Sequence, residues 1–176
     1  MARKSYEYLE DYEVGQRGET STRTVSTADI THFACMTGDY APVHLDRHLT
    51  AGGQYGGRIA HGLLGSSLVM GMVSIEASHV VGRDVPEACL CGFETNYRGA
   101  IFLDDTIKIR WQIAEKGDDP TQEGFGLVRT GFQVINQDGN GVYEGTLTTK
   151  VRQRSAGNTR LQCKTGTHWQ IKEFVL

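Results

Sequence analysis

A long run of apolar and small residues between positions 62 and 79 constrains the fold more than any other feature of this chain. In order, it is Gly-Leu-Leu-Gly-Ser-Ser-Leu-Val-Met-Gly-Met-Val-Ser-Ile-Glu-Ala-Ser-His, and Glu76 is its only acidic or basic residue apart from the terminal histidine. A helix without a polar face has to be buried on every side. The run is shorter than the ~20 predominantly apolar residues of a membrane span and is interrupted by Gly and Ser, so we predict a core helix. Its many small residues would let a curved sheet approach closely.

The second half of the chain supplies strands for such a sheet. Apolar and polar residues alternate from Thr106 to Ile113, which predicts a half-buried strand. Residues 89–98, 126–136 and 142–152 alternate more weakly, and Asp138-Gly139-Asn140-Gly141 suits a hairpin turn between the last two. Because the helices come early, the strands late and the turns are too short for crossovers, we predict an antiparallel sheet and the α+β class.

The length of 176 residues suits one domain with a sizeable core. We assign residues 1–152 to that domain and residues 153–176 to a C-terminal tail. Residues 153–168 are polar and poor in β-branched side chains, which favours a loose tail. Residues 169–176 include aromatic and aliphatic side chains that could dock on the domain.

Composition argues against several classes of partner. A net charge of −3 and a pI near 6.1 provide no basic excess for the phosphates of nucleic acid or of an anionic membrane. The first residues lack the apolar run of a signal peptide, so we expect a reducing, cytoplasmic location. The four cysteines show no metal-ligand spacing, and the glycine-rich segment 52–57 lacks the lysine of a phosphate-binding loop. We therefore expect neither a metal nor a cofactor.

Candidate catalytic groups lie in the sequence Thr-Gly-Asp-Tyr-Ala-Pro-Val-His at positions 37–44. Ser26 followed three residues later by Asp29 predicts a capping box at the start of a short amphipathic helix. Gly38 is typical of the residue that ends such a helix. The helix therefore delivers Asp39 to the segment that follows.

Asp39 and His44 are five residues apart in a segment that we expect to be a stiff, non-helical loop. Gly38 ends the preceding helix, and Pro42 disfavours helical backbone in the residue before it. A carboxylate and an imidazole on one short loop can converge on a single water, which suits general acid-base catalysis. The alternative is a simple turn with a solvated Asp and a surface His, since Asp, Gly and Pro are common in turns for conformational reasons.

Further motifs follow this loop in an order that resembles a known family. Arg58-Ile59-Ala60-His61-Gly62-Leu63-Leu64 opens the apolar helix, and Asn96-Tyr97-Arg98-Gly99-Ala100 and Leu103-Asp104-Asp105-Thr106 come later. From about residue 8 to residue 152 the chain resembles the MaoC-like dehydratases, a family that includes (R)-specific enoyl-CoA hydratases and NodN-like proteins. The resemblance implies a hot-dog fold, in which an antiparallel sheet wraps around one long helix, and it implies a homodimer.

The resemblance also implies roles for individual residues. The family's catalytic Asp and His correspond to Asp39 and His44, and its oxyanion-binding amide corresponds to the backbone N–H of Gly62. Adding water to the β-carbon of a 2-enoyl thioester needs a base for the water proton and a donor for the charge on the thioester oxygen. An amide at a helix N-terminus suits the second role because the helix dipole is positive there.

Pro42, His61 and Ser66 are candidates for contact with the substrate. We expect His61 to be structural, with a hydrogen bond that fixes the loop. The family pattern commonly has Asn before the proline, where this chain has Ala41. A helix serine used by some hydratases corresponds to Met70, so Ser66, one turn earlier, is the candidate replacement.

Three functions are consistent with these residues. The resemblance favours a hydratase or dehydratase that acts on an acyl-CoA thioester and forms a 3-hydroxyacyl thioester. A hot-dog thioesterase would need a carboxylate but not the pairing of Asp39 with His44, and a non-catalytic acyl-thioester-binding protein would have no use for a base. The acyl chain length and the choice between CoA and acyl-carrier protein stay open.

Overall fold

The computed structural model describes residues 8–78 and 88–157. Within these residues, the four α-helices precede the four long strands. The helices are α1 (Thr27–Thr37), α2 (Pro42–Leu45), α3 (Arg47–Ala51) and α4 (Gly62–Ser78). The strands are β1 (Arg17–Glu19), β2 (Arg23–Thr24), β3 (Ala88–Tyr97), β4 (Thr106–Asp118), β5 (Phe125–Ile135) and β6 (Gly141–Arg152). Short 3-10 helices lie at Leu9–Asp11 and Arg154–Ala156.

The strands form an antiparallel sheet with the order β1-β4-β5-β6-β3, and β2 pairs with another part of β4. The predicted strands at 89–98, 126–136 and 142–152 correspond to β3, β5 and β6, with no boundary displaced by more than one residue. The predicted α+β class and antiparallel pairing are therefore confirmed.

Strand β4 is longer than the alternating pattern indicates. The pattern ends at Ile113, whereas pairing with β5 continues to Asp118. Beyond a register shift between Ile113 and Glu115, residues 114–118 are all exposed, so this part of the strand has no buried face to produce an alternating pattern, although the backbone pairing is kept.

Helix α4 packs against the sheet through one apolar side. The helix contributes Leu64, Leu68, Val69 and Met72 to the main hydrophobic core. The sheet contributes Ile107, Ile109, Phe132, Val134, Val142, Tyr143 and Leu147, and α1 contributes Ile30 and Phe33. The prediction of a core helix covered by a sheet is confirmed.

The other side of α4 faces outward in the single chain. Leu63, Ser67, Gly71 and Ser74 are exposed, and their spacing of four, four and three residues places them in one stripe along the helix. The prediction that α4 is buried on every side is therefore wrong for the single chain, because the sheet and α1 cover only part of its circumference. In the part of the chain that the structure describes, no helix is long and apolar enough to cross a membrane.

Gly65 allows the sheet to approach α4 closely. A Cβ at this position would lie 2.3 Å from Cε2 of Tyr143 and 3.0 Å from Cδ1 of Ile101. Tyr143 is 2% exposed, and burial, with a smaller contribution from Tyr97, raises the pKa of its phenol above the ordinary value. A ring buried this deeply cannot move aside, so the packing requires glycine at position 65.

The first residues of the predicted tail pack on the domain. Ala156 is buried, and the guanidinium of Arg154 pairs with the carboxylate of Asp11. The expectation of a loose tail is therefore wrong for residues 153–157, because a buried methyl group and an ion pair hold them. Residues 158–176, which include the predicted docking segment, lie outside the described residues, as does the histidine that ends the apolar run. The division into a domain at 1–152 and a tail stays a prediction.

We predict that Gly65→Ala destabilises the fold by roughly 1–3 kcal/mol, because the added methyl group overlaps the ring of Tyr143. Urea denaturation followed by circular dichroism measures the change. Gly131→Ala is the control, since the only atom of the residues 8–78 and 88–157 within 4 Å of a Cβ there is the Gln112 carbonyl oxygen at 3.8 Å. If Gly65→Ala is as stable as Gly131→Ala, the helix and the sheet are not packed as described.

Candidate functional site

Helix α1 ends immediately before Asp39. At its start, the Ser26 hydroxyl accepts the amide N–H of Asp29, and the Asp29 carboxylate accepts the amide N–H of Ser26. Gly38 ends the helix with a φ of 77°, in the left-handed region that favours glycine. The predicted capping box and C-terminus are both confirmed.

His44 lies on a short helix rather than in a loop. Residues Pro42–Leu45 form α2, with Pro42 at the first helical position. The prediction of non-helical backbone is confirmed for residues 39–41 and is wrong for residues 42–44. Proline disfavours helical backbone in the residue before it, but its fixed φ suits the first turn, where its missing N–H is not needed.

The imidazole of His44 is 9% exposed and is held by the main chain. Its Nδ1 lies 2.8 Å from the carbonyl oxygen of Ile59. Because a carbonyl oxygen can only accept, Nδ1 carries the hydrogen, and Nε2 of the neutral ring is an acceptor. A ring held in this tautomer can take up a proton at Nε2.

Asp39 presents an exposed carboxylate on an ordered backbone. Its Oδ1 accepts the amide N–H of Ala41 at 3.2 Å, and its own amide donates to the hydroxyl of Thr37 at 3.3 Å. Its carbonyl oxygen lies 3.0 Å from Nε2 of His61. These contacts tighten the loop without the Asn that commonly precedes the proline in the family pattern.

The structure brings Asp39, His44 and His61 together. One oxygen or nitrogen atom of each side chain lies within 4.8 Å of those of the other two. His61 is 3% exposed, and its ring stacks on that of His44 with centroids 3.8 Å apart and planes inclined by 26°. A water that makes hydrogen bonds of about 2.8 Å can bridge two atoms at this separation. Asp39 and His44 can therefore hold one water between them.

A carboxylate and two imidazoles are also ligands that transition metals use. The stacked rings do not suit that role, because a ring nitrogen binds a metal in the plane of its ring. Two nearly parallel planes direct the nitrogens of His44 and His61 side by side rather than towards one ion. One nitrogen of each ring also contacts a main-chain carbonyl. The expectation of a metal-free site stays a prediction.

Gly62, the first residue of α4, directly follows His61. Its N–H is among the first four of the helix, which have no partner within the helix. A Cβ at Gly62 would lie 3.1–3.4 Å from three ring atoms of Tyr97. The glycine therefore accommodates a tyrosine ring. Sequence reasoning missed this role of Tyr97, although it placed the residue at the end of a predicted strand and in the motif Asn96–Ala100.

The remaining candidate residues, Ser66, Met70 and Pro42, lie in different surroundings. The Ser66 hydroxyl, one turn along α4 and buried, pairs with the Tyr97 hydroxyl at 3.1 Å. Met70 is partly buried against the main hydrophobic core. Pro42 is exposed at the start of α2. Ser66 is thus beside the start of α4, whereas Met70 belongs to the core.

Comparison with known proteins gives consistent similarities. Residues 11–133 match the family model described as the MaoC like domain. A 3-hydroxybutyryl-CoA dehydratase from Methylorubrum extorquens is 34% identical over 110 residues, which cover 61% of this chain and 64% of that protein. The chain therefore spans slightly less than two thirds of the length of that curated relative.

Two solved structures extend the similarity to most of the chain. A monoamine oxidase regulatory protein from an Archaeoglobus species has a TM-score of 0.77 at 30% identity, covering 87% of this chain and 98% of that one. The R-hydratase PhaJ1 from Pseudomonas aeruginosa has a TM-score of 0.67 at 28% identity, covering 84% of this chain and 86% of that one. Both share the sheet and the long helix described above.

Proposed function

This chain belongs to the family of MaoC-like domains and has its hot-dog fold, and on that premise we propose that it is an (R)-specific hydratase or dehydratase of trans-2-enoyl thioesters. The proposed substrate is an enoyl-CoA, and the product is the 3-hydroxyacyl-CoA. The names of a 3-hydroxybutyryl-CoA dehydratase and an R-hydratase among its relatives support this reaction. The observation that carries the proposal is that a carboxylate oxygen of Asp39 lies within 4.8 Å of a ring nitrogen of His44, beside His61 and the start of α4.

The proposed reaction begins with a water held between the Asp39 carboxylate and Nε2 of His44. The carboxylate accepts one hydrogen bond and orients the water, and Nε2 takes the proton as the water oxygen bonds to the β-carbon. The carbonyl of Ile59 accepts from Nδ1–H throughout and supports the positive charge that forms on the ring. This arrangement provides general base catalysis without a cofactor.

The electron pair displaced from the double bond moves onto the thioester oxygen. The N–H of Gly62 would donate to that oxygen at the positive end of α4, where developing negative charge is stabilised. His44 then returns its proton to the α-carbon, so one water is consumed and the side chains regain their starting charges. Dehydration follows the same steps in reverse.

We predict that Asp39→Asn and His44→Gln each lower kcat for trans-2-enoyl-CoA hydration by about 10²-fold or more, the usual scale for loss of a general acid or base. KM should change much less. The double variant should be scarcely slower than the slower single variant, because two residues that act on one water are not additive. Loss of the enoyl-thioester absorbance measures the rate, and circular dichroism checks the fold.

Two other experimental results would assign a different function to the protein. Release of free thiol from a saturated acyl-CoA, lost in Asp39→Asn, would assign the protein as a thioesterase. Binding of acyl-CoA without either reaction at any chain length would assign it as a non-catalytic acyl-thioester-binding protein, and Ala41 and Met70 would be the first positions to restore.

The oxyanion role of Gly62 predicts different effects for two substitutions. Gly62→Pro and Gly62→Ala both place a Cβ against the ring of Tyr97, but only proline removes the N–H. We expect Gly62→Pro to lower kcat by about 10²–10³-fold, the scale for loss of one oxyanion donor. Gly62→Ala should retain most of the turnover. Equal turnover in the two folded variants would eliminate the amide as the donor.

We also propose that a second copy of the chain covers the exposed stripe of α4 to give a homodimer. Leu63, Ser67, Gly71 and Ser74 present apolar and small side chains that another helix can approach closely. Strand β3 ends the described sheet, and an edge strand offers unpaired backbone groups to a neighbour. The two features together favour self-association with closed two-fold symmetry.

Light scattering at micromolar concentration should give a mass about twice 19.4 kDa for the wild-type chain. Gly71→Lys should shift it towards the monomer, because it places a long charged side chain where no atom of the described residues lies within 4 Å of a Cβ. The helix itself should tolerate the change, since Lys is a better helix former than Gly. Gly117→Lys, at an equally open position on β4, is the control. A monomeric wild type contradicts the proposal.

A further inference from the structure

The buried imidazole of His61 is part of the site but has no step in the reaction described above. It is 3% exposed, and it contacts both members of the catalytic pair. Its Nε2 meets the main chain of Asp39, and its face meets the ring of His44. A side chain that touches both groups can set their relative position.

The contact with Asp39 is a hydrogen bond across 22 positions of sequence. Nε2 of His61 lies 3.0 Å from the Asp39 carbonyl oxygen, which can only accept, so Nε2 carries the hydrogen. The bond joins the residue before α4 to the residue that follows Gly38, the C-cap of α1. It therefore holds the Asp39 backbone at a fixed place relative to Gly62.

The contact with His44 fixes the plane of the second ring. The ring of His61 stacks on that of His44 with centroids 3.8 Å apart. It also contacts the ring of Phe33, with centroids 5.0 Å apart. His44 is thus held in plane by the Ile59 carbonyl at Nδ1 and from its face by His61. These two contacts fix the orientation of the His44 ring and therefore the position of its Nε2.

The second nitrogen of His61 shows that packing alone does not explain this residue. Nδ1 is buried and has no hydrogen-bond partner among the described residues. A buried acceptor without a partner is unfavourable, so phenylalanine would fill the same space at lower cost. What an imidazole supplies and a phenyl ring lacks is the N–H to Asp39.

We propose that His61 is a positioning residue for the hydration reaction, which holds the Asp39 backbone through Nε2–H and the His44 ring through stacking. This inference rests on the proposed function. It assigns His61 no contact with the substrate. Its loss should therefore lower kcat and leave KM nearly unchanged.

Three variants separate the two contacts. His61→Phe keeps a flat ring against His44 and removes the donor, His61→Gln keeps an N–H at the position of Nε2 and removes the ring, and His61→Leu removes both. We expect His61→Phe to lower kcat by about tenfold or more, since small displacements of reacting groups cost this much. His61→Gln should recover part of that loss, and His61→Leu should be the slowest. A wild-type kcat in folded His61→Phe overturns the role.

Combining His61→Phe with a substitution of Asp39 distinguishes a positioning role of His61 from a purely structural one. In the Asp39→Asn background the orientation of residue 39 no longer matters, so His61→Phe should have little further effect on kcat. An undiminished effect in that background overturns the proposal. Val128→Ala controls for stability, because Val128 is buried in a second hydrophobic cluster with Leu9, Ile113 and Val151. It should lower the melting temperature and leave kcat unchanged.

The hydrogen bond of His61 can also be tested without measuring enzyme activity. Nitrogen-15 NMR of the histidine rings should show His61 with its hydrogen on Nε2, and Asp39→Ala should leave that signal in place because the bond is to the main chain. The opposite tautomer contradicts the geometry whatever the activity. If the tautomer is as expected and the wild-type protein hydrates no enoyl-CoA, the proposed function fails and the catalytic part of this inference fails with it.

Discussion

The close approach of α4 to the sheet is the contact on which the rest of this structure depends. The rings of Tyr97 and Tyr143 lie against the positions where Gly62 and Gly65 lack a side chain, and they meet each other edge to face at 4.8 Å. Because these glycines are three residues apart, they share one side of the helix. Strands β3 and β6 thereby hold the first turn of α4 at a fixed depth, and the main core fills the space beyond it.

Fixing the start of α4 also fixes the site. The first turn of a helix has unpaired N–H groups and the positive end of the dipole, so its position determines where a developing oxyanion can be stabilised. The segments 39–44 and 59–62 are joined to each other largely through main-chain groups. The amide of Ile59 donates to the carbonyl of Val43 at 3.3 Å, and each of the two buried imidazoles contacts a carbonyl of the opposite segment. Such contacts depend little on side-chain identity, which explains why Ala41 is compatible with an ordered loop.

Features set by local chemistry could be predicted from the sequence. The capping box of Ser26 and Asp29 satisfies amides within a few residues, Gly38 needs a left-handed backbone, and the alternation from Thr106 reports one buried face. Helix α4 was also predictable, since a long apolar run interrupted mainly by small residues is typical of a core helix. Pro42 shows the limit of the local rules: it disfavours helix before it and favours helix after it, and only the fold shows which preference applies where.

Features that depend on contacts distant in sequence could not be predicted. Nothing local indicates that Tyr97 meets Gly62 or that one side of α4 stays uncovered in the single chain. A hydrogen bond from His61 to the loop was expected, but its partner, the carbonyl of Asp39, was not. The resemblance to a family assigned Asp39, His44 and Gly62 as a set, but it assigned no role to His61. That role became visible only when burial, stacking and the unpaired nitrogen could be considered together.

We propose that Asp39 and His44 deliver one water to one face of an enoyl thioester. The most direct measurement is to incubate the wild-type protein with a trans-2-enoyl-CoA in water enriched in heavy oxygen and to analyse the product by mass spectrometry and chiral chromatography. We expect one labelled oxygen on carbon 3, the (R) configuration and an intact thioester. The (S) product, label in a released carboxylate, or no product with any chain length would contradict it.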